Sequence, residues 1–461
     1  MNIAKNIELL LNYAKTHGLI TEDDVVFSRN LLLDLLKIPQ PFEGDSGVEA
    51  CDFEAIITPL LKHAHEIGLI EEPTETRFDL FEGRIMGLLT PRPSEVIAKF
   101  NSFSNTSAAT EYFFNLSRAT NYIKTERVKK NLQWTHKTDF GELQITINLS
   151  KPEKDPRDIA KAIAAENTGY PKCLLCADNE GFAGHLNHPA RQNHRIIPIT
   201  LGGEAWYFQY SPYAYYNEHC IPLCAEHRAI DIGVGTFERL LDFLEIFPHY
   251  FVGSNAGLPI AGGSILNHDH FQGGRHTFPV EKAEILQEYS LLGVSAAIIK
   301  WPMSIIRLRA NDRAAIIRAA AEIFAKWQSY EDKSAEIIPF SGNTPHNTIT
   351  PIARINPAGE YELDITLRNN RTSPKFPDGI FHPHPHVHHI KKENIGLIEV
   401  MGLAILPGRL ADELLKAEDR QAKEAYIGDV FLEVLSHAGV FKYDDAGIAA
   451  FKRFIKTCGA N

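Results

Sequence analysis

The spacing of apolar residues changes character along the chain. Over the first hundred residues it follows a helical period: Leu9, Leu10, Tyr13 and Ala14 share one face, Leu31 to Leu36 is strongly apolar, and further helical patterns cover roughly 53–67 and 75–89. Asp23 and Asp24 are candidate caps for the second of these segments, Pro39 and Pro41 interrupt it, and Pro91 and Pro93 mark the exit from the helical region. From 101 to 290 the pattern is mixed. Leu143-Gln-Ile-Thr-Ile-Asn-Leu149 alternates like a half-buried strand, Ala205-Trp-Tyr-Phe-Gln-Tyr210 is a second strand candidate, and Thr236 to Phe247 reads as a capped amphipathic helix ending before Pro248. The last part repeats the mixture, with helices expected near 281–293 and 312–328, strands at 347–355 and 360–368, then a His-rich stretch and an apolar 395–406. The expected organisation is a helical region over 1–100 and two mixed regions over 101–290 and 291–461. No short-period repeat is present, but a diverged duplication of one α+β unit fits the two mixed regions.

Composition narrows the class. A chain of 461 residues, 44% of them hydrophobic, can bury two or three cores. Acidic residues outnumber basic ones by 58 to 47 without any block of like charge, which argues against a nucleic-acid partner. No run of 18 apolar residues occurs, so no membrane span is expected, and the early polar residues do not read as a signal peptide. The six cysteines (51, 173, 176, 220, 224 and 458) are too sparse for a disulfide framework, and together these features predict a reducing, cytoplasmic setting. Asn115-Leu-Ser and Asn148-Leu-Ser match glycosylation sequons but carry little weight without a secretory signal. Neither a Walker A sequence nor a Rossmann fingerprint is present.

The most informative stretch is Gly262-Gly-Ser-Ile-Leu-Asn-His-Asp-His-Phe-Gln-Gly-Gly274. If Ser264 to His270 is extended, His268 and His270 face the same way, with Gln272 following, and the flanking glycines allow close backbone approach to a phosphate. Three readings stay open on these residues alone: nucleophilic phosphate chemistry, a metal-binding histidine pair, or polar packing. Cys173-Leu-Leu-Cys176 has the compact spacing that grips zinc, against the plainer reading of two buried thiols. His382-Pro-His-Pro-His-Val-His-His389 is stiffened by its prolines and fits substrate binding or a packed loop, and metal binding less well. Arg368 and Arg371 are candidate phosphate clamps. Tyr122, Lys124, Arg127 and Arg191 are weak individual signals for a nucleotide contact.

Taken over longer stretches, the sequence resembles the second class of galactose-1-phosphate uridylyltransferases, the UDP-glucose:hexose-1-phosphate uridylyltransferases. The specific match runs from Gly257 through Gly274, with support from Ser211-Pro-Tyr-Ala-Tyr-Tyr-Asn-Glu-His-Cys220, Phe247-Pro-His-Tyr-Phe-Val-Gly-Ser-Asn-Ala256, Asn121-Tyr-Ile-Lys-Thr-Glu-Arg127 and the Pro383–Leu406 region. It departs from the usual pattern at Gly257, Ala261 and Asn267, which flank the reactive residues and bear on sugar preference or loop geometry. The resemblance implies an α/β (α+β) fold of duplicated histidine-triad-like domains with antiparallel-rich sheets and an added N-terminal helical region. It implies uridylyl transfer from UDP-glucose to galactose 1-phosphate in two steps through a uridylylated His270, with Gln272 donating to a phosphate oxygen. Ser254, Asn255, Tyr122, Arg127 and Arg191 are then substrate contacts alongside Arg368 and Arg371. Cys173, Cys176, His227 and His268 are implied as a set of two thiolates and two imidazoles for a structural zinc, whereas UDP-glucose is a substrate. Partners are UDP-sugars and hexose 1-phosphates, and a homodimer is compatible with the resemblance. A nucleotide hydrolase using the same nucleophile is the main enzymatic alternative, and a noncatalytic sugar-nucleotide sensor the alternative of a different class.

Overall fold

A computed structural model describes residues 2–44, 52–150, 169–263 and 265–461. The chain forms two compact units: Met1–Lys130 with Ser150–Pro198 and Tyr207–Ala214, and Asn131–Leu149 with Ile199–Trp206 and Tyr215–Asn461. Position 100 lies inside the first unit and position 290 inside the second.

The first unit is mainly helical. Its helices Ile3–Thr16, Val25–Leu36, Phe53–Glu66, Glu75–Gly87, Pro93–Asn101 and Thr106–Ala119 include the two expected near 53–67 and 75–89. Ile7, Leu10, Leu11 and Ala14 form the buried stripe of the first helix at the spacing one helical face requires. Side-chain caps start several helices: Asn2 accepts from the Lys5 amide, Thr74 from that of Arg77 and Asn105 from that of Ser107. Pro93 differs from its expected role as an exit marker. It opens the helix Pro93–Asn101, where its missing N–H costs no hydrogen bond.

The second unit carries most of the strand residues. A small sheet is formed by β1 (Leu132–Thr138), β2 (Gly141–Asn148) and β15 (Leu403–Pro407), with β2 antiparallel to β1 and parallel to β15. Leu143, Ile145 and Ile147 of β2 are buried, as their alternation predicts, but so are Thr146 and Asn148 on the opposite face. The three apolar residues join a core that includes Ile299, Trp301, Leu403, Leu406 and Phe431. Helix Arg420–Ala438 lies against β1, with Gly428 at the closest approach: a Cβ there would overlap the His136 ring.

A ten-stranded sheet takes the order β3 (Ile197–Leu201), β4 (Glu204–Tyr210), β5 (Cys220–Cys224), β7 (Gln272–Gly274), β6 (Phe251–Gly253), β13 (Asn347–Ile355), β14 (Tyr361–Asn369), β10 (Ile305–Ala310), β9 (Val294–Ile299) and β8 (Ile285–Leu291). A separate hairpin pairs β11 (Phe340–Ser341) with β12 (Thr344–Pro345). Helices Val234–Ile246 and Arg313–Ser329 pack on the large sheet through Leu240, Leu244, Ile316, Ala320 and Ile323. Both were legible in the sequence, as were β13 and β14. The helix expected over 281–293 is overturned: a 3-10 turn at Pro279–Lys282 leads into the hairpin β8–β9, whose two connecting residues, Leu292 and Gly293, have φ of 51° and 81°. Those values are what a tight hairpin turn demands. The apolar 395–406 stretch divides into a short helix, Leu397–Val400, and β15.

Within the large sheet, Arg307 of β10 makes a bidentate pair with Asp364 of β14 at 2.6 and 2.8 Å, and Arg354 of β13 reaches the same carboxylate at 2.7 Å. Glu362 accepts from Arg309 and Arg354 beside them. Each buried charge is thereby matched, the condition under which burying it is tolerable.

Candidate active site

His270 enters the sheet through backbone pairing. The Phe271 amide donates to the Pro222 carbonyl at 2.8 Å, the Cys224 amide donates to the Asp269 carbonyl at 2.9 Å, and Leu223 and His270 form a bridge in register with the Cys220–Gly273 pair. Phe271 stacks on Trp206 with ring centroids 4.8 Å apart. From Ile265 to Asp269 the segment is irregular, with bends at Asn267 and His268 instead of the expected extended run, and Ser264 lies outside the described residues.

The His270 ring is buried, and its Nδ1 lies 2.8 Å from the His268 carbonyl oxygen. A carbonyl oxygen only accepts, so Nδ1 carries the proton and Nε2 the lone pair. Burial pushes the imidazole down to about 4, the neighbouring His268 adds to this, and the hydrogen bond to the carbonyl opposes it. The ring is neutral at physiological pH, with the lone pair on Nε2. Gln272, two residues on, begins β7 and is partly exposed.

The other expected anion contacts in this unit differ in what already holds them. The Asn255 side-chain oxygen accepts from the Leu397 amide at 2.9 Å, and the Ser254 hydroxyl donates to the Asn255 backbone carbonyl at 3.0 Å. Gly263, with φ of 48°, leaves room beside Asn255: a Cβ there would stand 3.1 Å from the Asn255 side chain. Arg368 is buried, donating to the Ile395 carbonyl at 2.9 Å and to the Thr350 hydroxyl at 3.4 Å, and burial pulls its guanidinium down to about 10. Arg371 is half-buried and donates to the Glu336 carbonyl at 2.6 Å.

Tyr122, Arg127 and Arg191 all line one cleft of about 130 Å³ in the first unit, with Asn121, Asn193 and Tyr213. Tyr122 stacks on His194 at 4.4 Å, and the Arg191 guanidinium lies 5.3 Å from the Tyr122 ring centre. Arg127 is engaged bidentately by Asp79 at 2.8 and 2.6 Å, and Lys124 by Glu82 at 2.6 Å. Sequence reasoning named the cations but not these carboxylates, which stand some forty to fifty residues earlier.

The candidate metal residues form two local pairs. In the first unit the Cys173 and Cys176 sulfurs are 3.5 Å apart, the Leu175 amide points at Cys173 Sγ, and Asn179 donates to both cysteine carbonyls at 2.8 Å. In the second, the rings of His227 and His268 lie with centroids 4.9 Å apart, and His268 Nε2 donates to the Cys224 carbonyl at 2.8 Å. That bond places the His268 lone pair on Nδ1. Thiolates and imidazoles are donor types that a zinc ion takes. No disulfide joins any two of the five described cysteines, and Cys51 lies outside the described residues.

In the His-rich stretch the rings are individually tied to the protein: His382 to Asn394, His384 to the Ile380 carbonyl, His388 to the Pro383 carbonyl and His389 to Tyr426. His386 pairs with Glu433, which also faces His437, and these three form a metal-capable group. No described helix is long and apolar enough to cross a membrane.

Two family models cover most of the chain: galactose-1-phosphate uridyl transferase, N-terminal domain, matches residues 48–229, and its C-terminal domain matches 243–432. Among curated proteins, the chain is 52% identical to a galactose-1-phosphate uridylyltransferase of Caldanaerobacter subterraneus subsp. tengcongensis, over 99% of this chain and 98% of that one. It is 49% identical to that of Halalkalibacterium halodurans, over 99% of both chains, and 48% identical to that of Bacillus subtilis, over 100% of this chain and 98% of the relative.

Proposed function

Because the chain belongs to the galactose-1-phosphate uridylyltransferase family, we propose that it transfers a uridylyl group from UDP-glucose to galactose 1-phosphate through a covalent intermediate on His270. The observation that carries the reading is the hydrogen bond from His270 Nδ1 to the His268 carbonyl, which leaves the lone pair of a neutral ring on Nε2. Nε2 attacks the α-phosphorus of UDP-glucose. A nitrogen–phosphorus bond forms, the bond from that phosphorus to the bridging oxygen breaks, and glucose 1-phosphate leaves with the electron pair. A phosphate oxygen of galactose 1-phosphate then attacks the same phosphorus, Nε2 departs, and UDP-galactose forms. Gln272 donates to a nonbridging oxygen as charge reorganises.

Ser254, Asn255, Arg368 and Arg371 serve the phosphates in this reading, and Tyr122 and Arg191 the uridine end. Arg127 reaches an anion only by giving up part of its pair with Asp79, which makes Arg191 the stronger cation candidate. Zinc on Cys173, Cys176, His227 and His268 fits the donors: the Leu175 amide aimed at sulfur suits a thiolate, and the His268 tautomer offers Nδ1. A metal with four protein ligands supplies rigidity to the segment carrying His270 rather than an activated water. A cytoplasmic setting and a homodimer complete the proposal.

Brief incubation with UDP-glucose alone is expected to leave UMP on His270, located by mass spectrometry of the digested protein. His270→Ala is expected to lose the adduct and at least ~10⁴-fold of exchange, as removal of a nucleophile does, while still binding the nucleotide sugar. A competent adduct on another residue, normal exchange by His270→Ala, or UMP release independent of acceptor would each overturn it.

A further inference from the structure

His219 stands immediately before β5 and belongs to none of the roles assigned above. Cys220 pairs with Gly273 and Leu223 with His270, so the register sets Ile221 opposite Gln272 and His219 opposite Gly274. Side chains alternate along a strand, and residues opposite one another share a face. His219 therefore projects from the same face as His270 and Gln272, one diagonal step from Gln272.

Its surroundings are fixed. The ring is 3% exposed and lies between Tyr216, with centroids 4.4 Å apart, and Tyr215, at 5.5 Å. Tyr216 is itself anchored by its hydroxyl to the Gly273 carbonyl at 3.2 Å. Gly274 makes the space: a Cβ there would fall 2.6 Å from the Glu218 carbonyl oxygen and 2.9 Å from the Tyr216 ring. Burial pushes the His219 imidazole down to about 3, against a smaller opposing effect of Gln272, so the ring is neutral and holds one N–H and one lone pair.

Yet neither ring nitrogen makes a hydrogen bond of ordinary geometry among the described residues. Leaving both unsatisfied inside the protein is costly. The polar side chain the ring lies against is the Gln272 amide, and such contacts tighten in the substrate complex of many enzymes.

We propose that His219 is a positioning residue for group transfer: when the substrate phosphate is bound, its ring N–H donates to the Gln272 side-chain oxygen and so turns the Gln272 NH2 toward the reacting phosphate. An amide is nearly symmetric in shape, and without such a partner it presents oxygen and nitrogen to the phosphate with similar ease. An oxygen facing the phosphate repels it. This role rests on the uridylyl-transfer reading and names what orients one of its donors.

The test uses the full chain in UDP-glucose and galactose 1-phosphate exchange, comparing the unaltered protein, His219→Phe, Gln272→Ala and the double variant. Phenylalanine keeps a ring between the tyrosines but has no N–H. His219→Phe is expected to lower kcat about 10- to 100-fold, below the loss typical for removing a transition-state donor outright, with both KM values nearly unchanged. In the Gln272→Ala background it is expected to change nothing further. His219→Gln, which retains an N–H, is expected to recover much of the rate, a result that packing alone would not give. If His219→Phe does not fold, His219→Met supplies the same comparison. Undiminished kcat in these variants, or an equal loss with and without Gln272, overturns the positioning role. Absence of exchange in the unaltered chain overturns the transfer reading instead, and His219's role with it.

Discussion

At Asp364 one carboxylate takes hydrogen bonds from two guanidinium groups on neighbouring strands. Burial works to raise its pKa, but Arg307 and Arg354 more than offset this and hold it at about 2. Asp364→Asn leaves two buried cations short of a partner and is expected to cost about 3–5 kcal/mol, the range for breaking a buried pair. The sign with pH follows from the depressed value. The native interaction is fully present above the ordinary carboxylate range and is lost as pH falls through about 2, so the difference between the two proteins narrows between roughly pH 4 and pH 2. Denaturant titrations across that range check it; a gap independent of pH would show that the charge is not what stabilises. This cluster was illegible in the sequence because its members come from β10, β13 and β14, and nothing local in any strand announces the others. His270 and Gln272 could be singled out as candidates for the opposite reason, since their motif is contiguous. His219 sat inside a recognised stretch, but its significance lies in a cross-strand register that spacing along one strand does not reveal.

Among elements, strong periodicity carried through: β13, β14 and helix Arg313–Ser329 lie within two residues of expectation. Glu281 to Leu291 misled because its Glu, Lys, Ala, Leu and Gln are good helix formers. As β8 it is an edge strand with most side chains exposed, where polar and charged residues are tolerated, and pairing with β9 overrides local preference. Leucine in the first positive-φ position of its turn hid the usual hairpin signal. The Cys-x-x-Cys turn carries a prediction that rests on the proposed zinc. Cys176→Ser is expected to lower bound zinc, measured by elemental analysis, and to reduce both thermal stability and turnover by loosening the His270 segment. A fully active unaltered preparation without stoichiometric metal would remove zinc as an obligatory support.

On the scale of the whole molecule, reading the chain from one end to the other gave three successive regions, whereas contacts assign residues 131–149 to the same unit as the C-terminal half. No local pattern could signal that, because β2 completes its sheet with β15 and their register partners Gln144 and Leu403 are separated by more than half the chain. A protein ending at Gly402 keeps the other described strands but lacks β15 and the helices that follow it, Arg409–Leu415, Arg420–Ala438 and Asp445–Thr457. It is expected to be insoluble or to bind hydrophobic dyes strongly, because Leu143, Ile145 and Ile147 lose their parallel neighbour and part of their core. A soluble, cooperatively melting fragment would contradict this. The same pairing orders events on the ribosome. β2 and its apolar face leave the exit tunnel long before β15 is translated, so for most of synthesis the nascent chain carries a sheet edge without its β15 partner. Slow decoding of the region between the two strands prolongs that exposure.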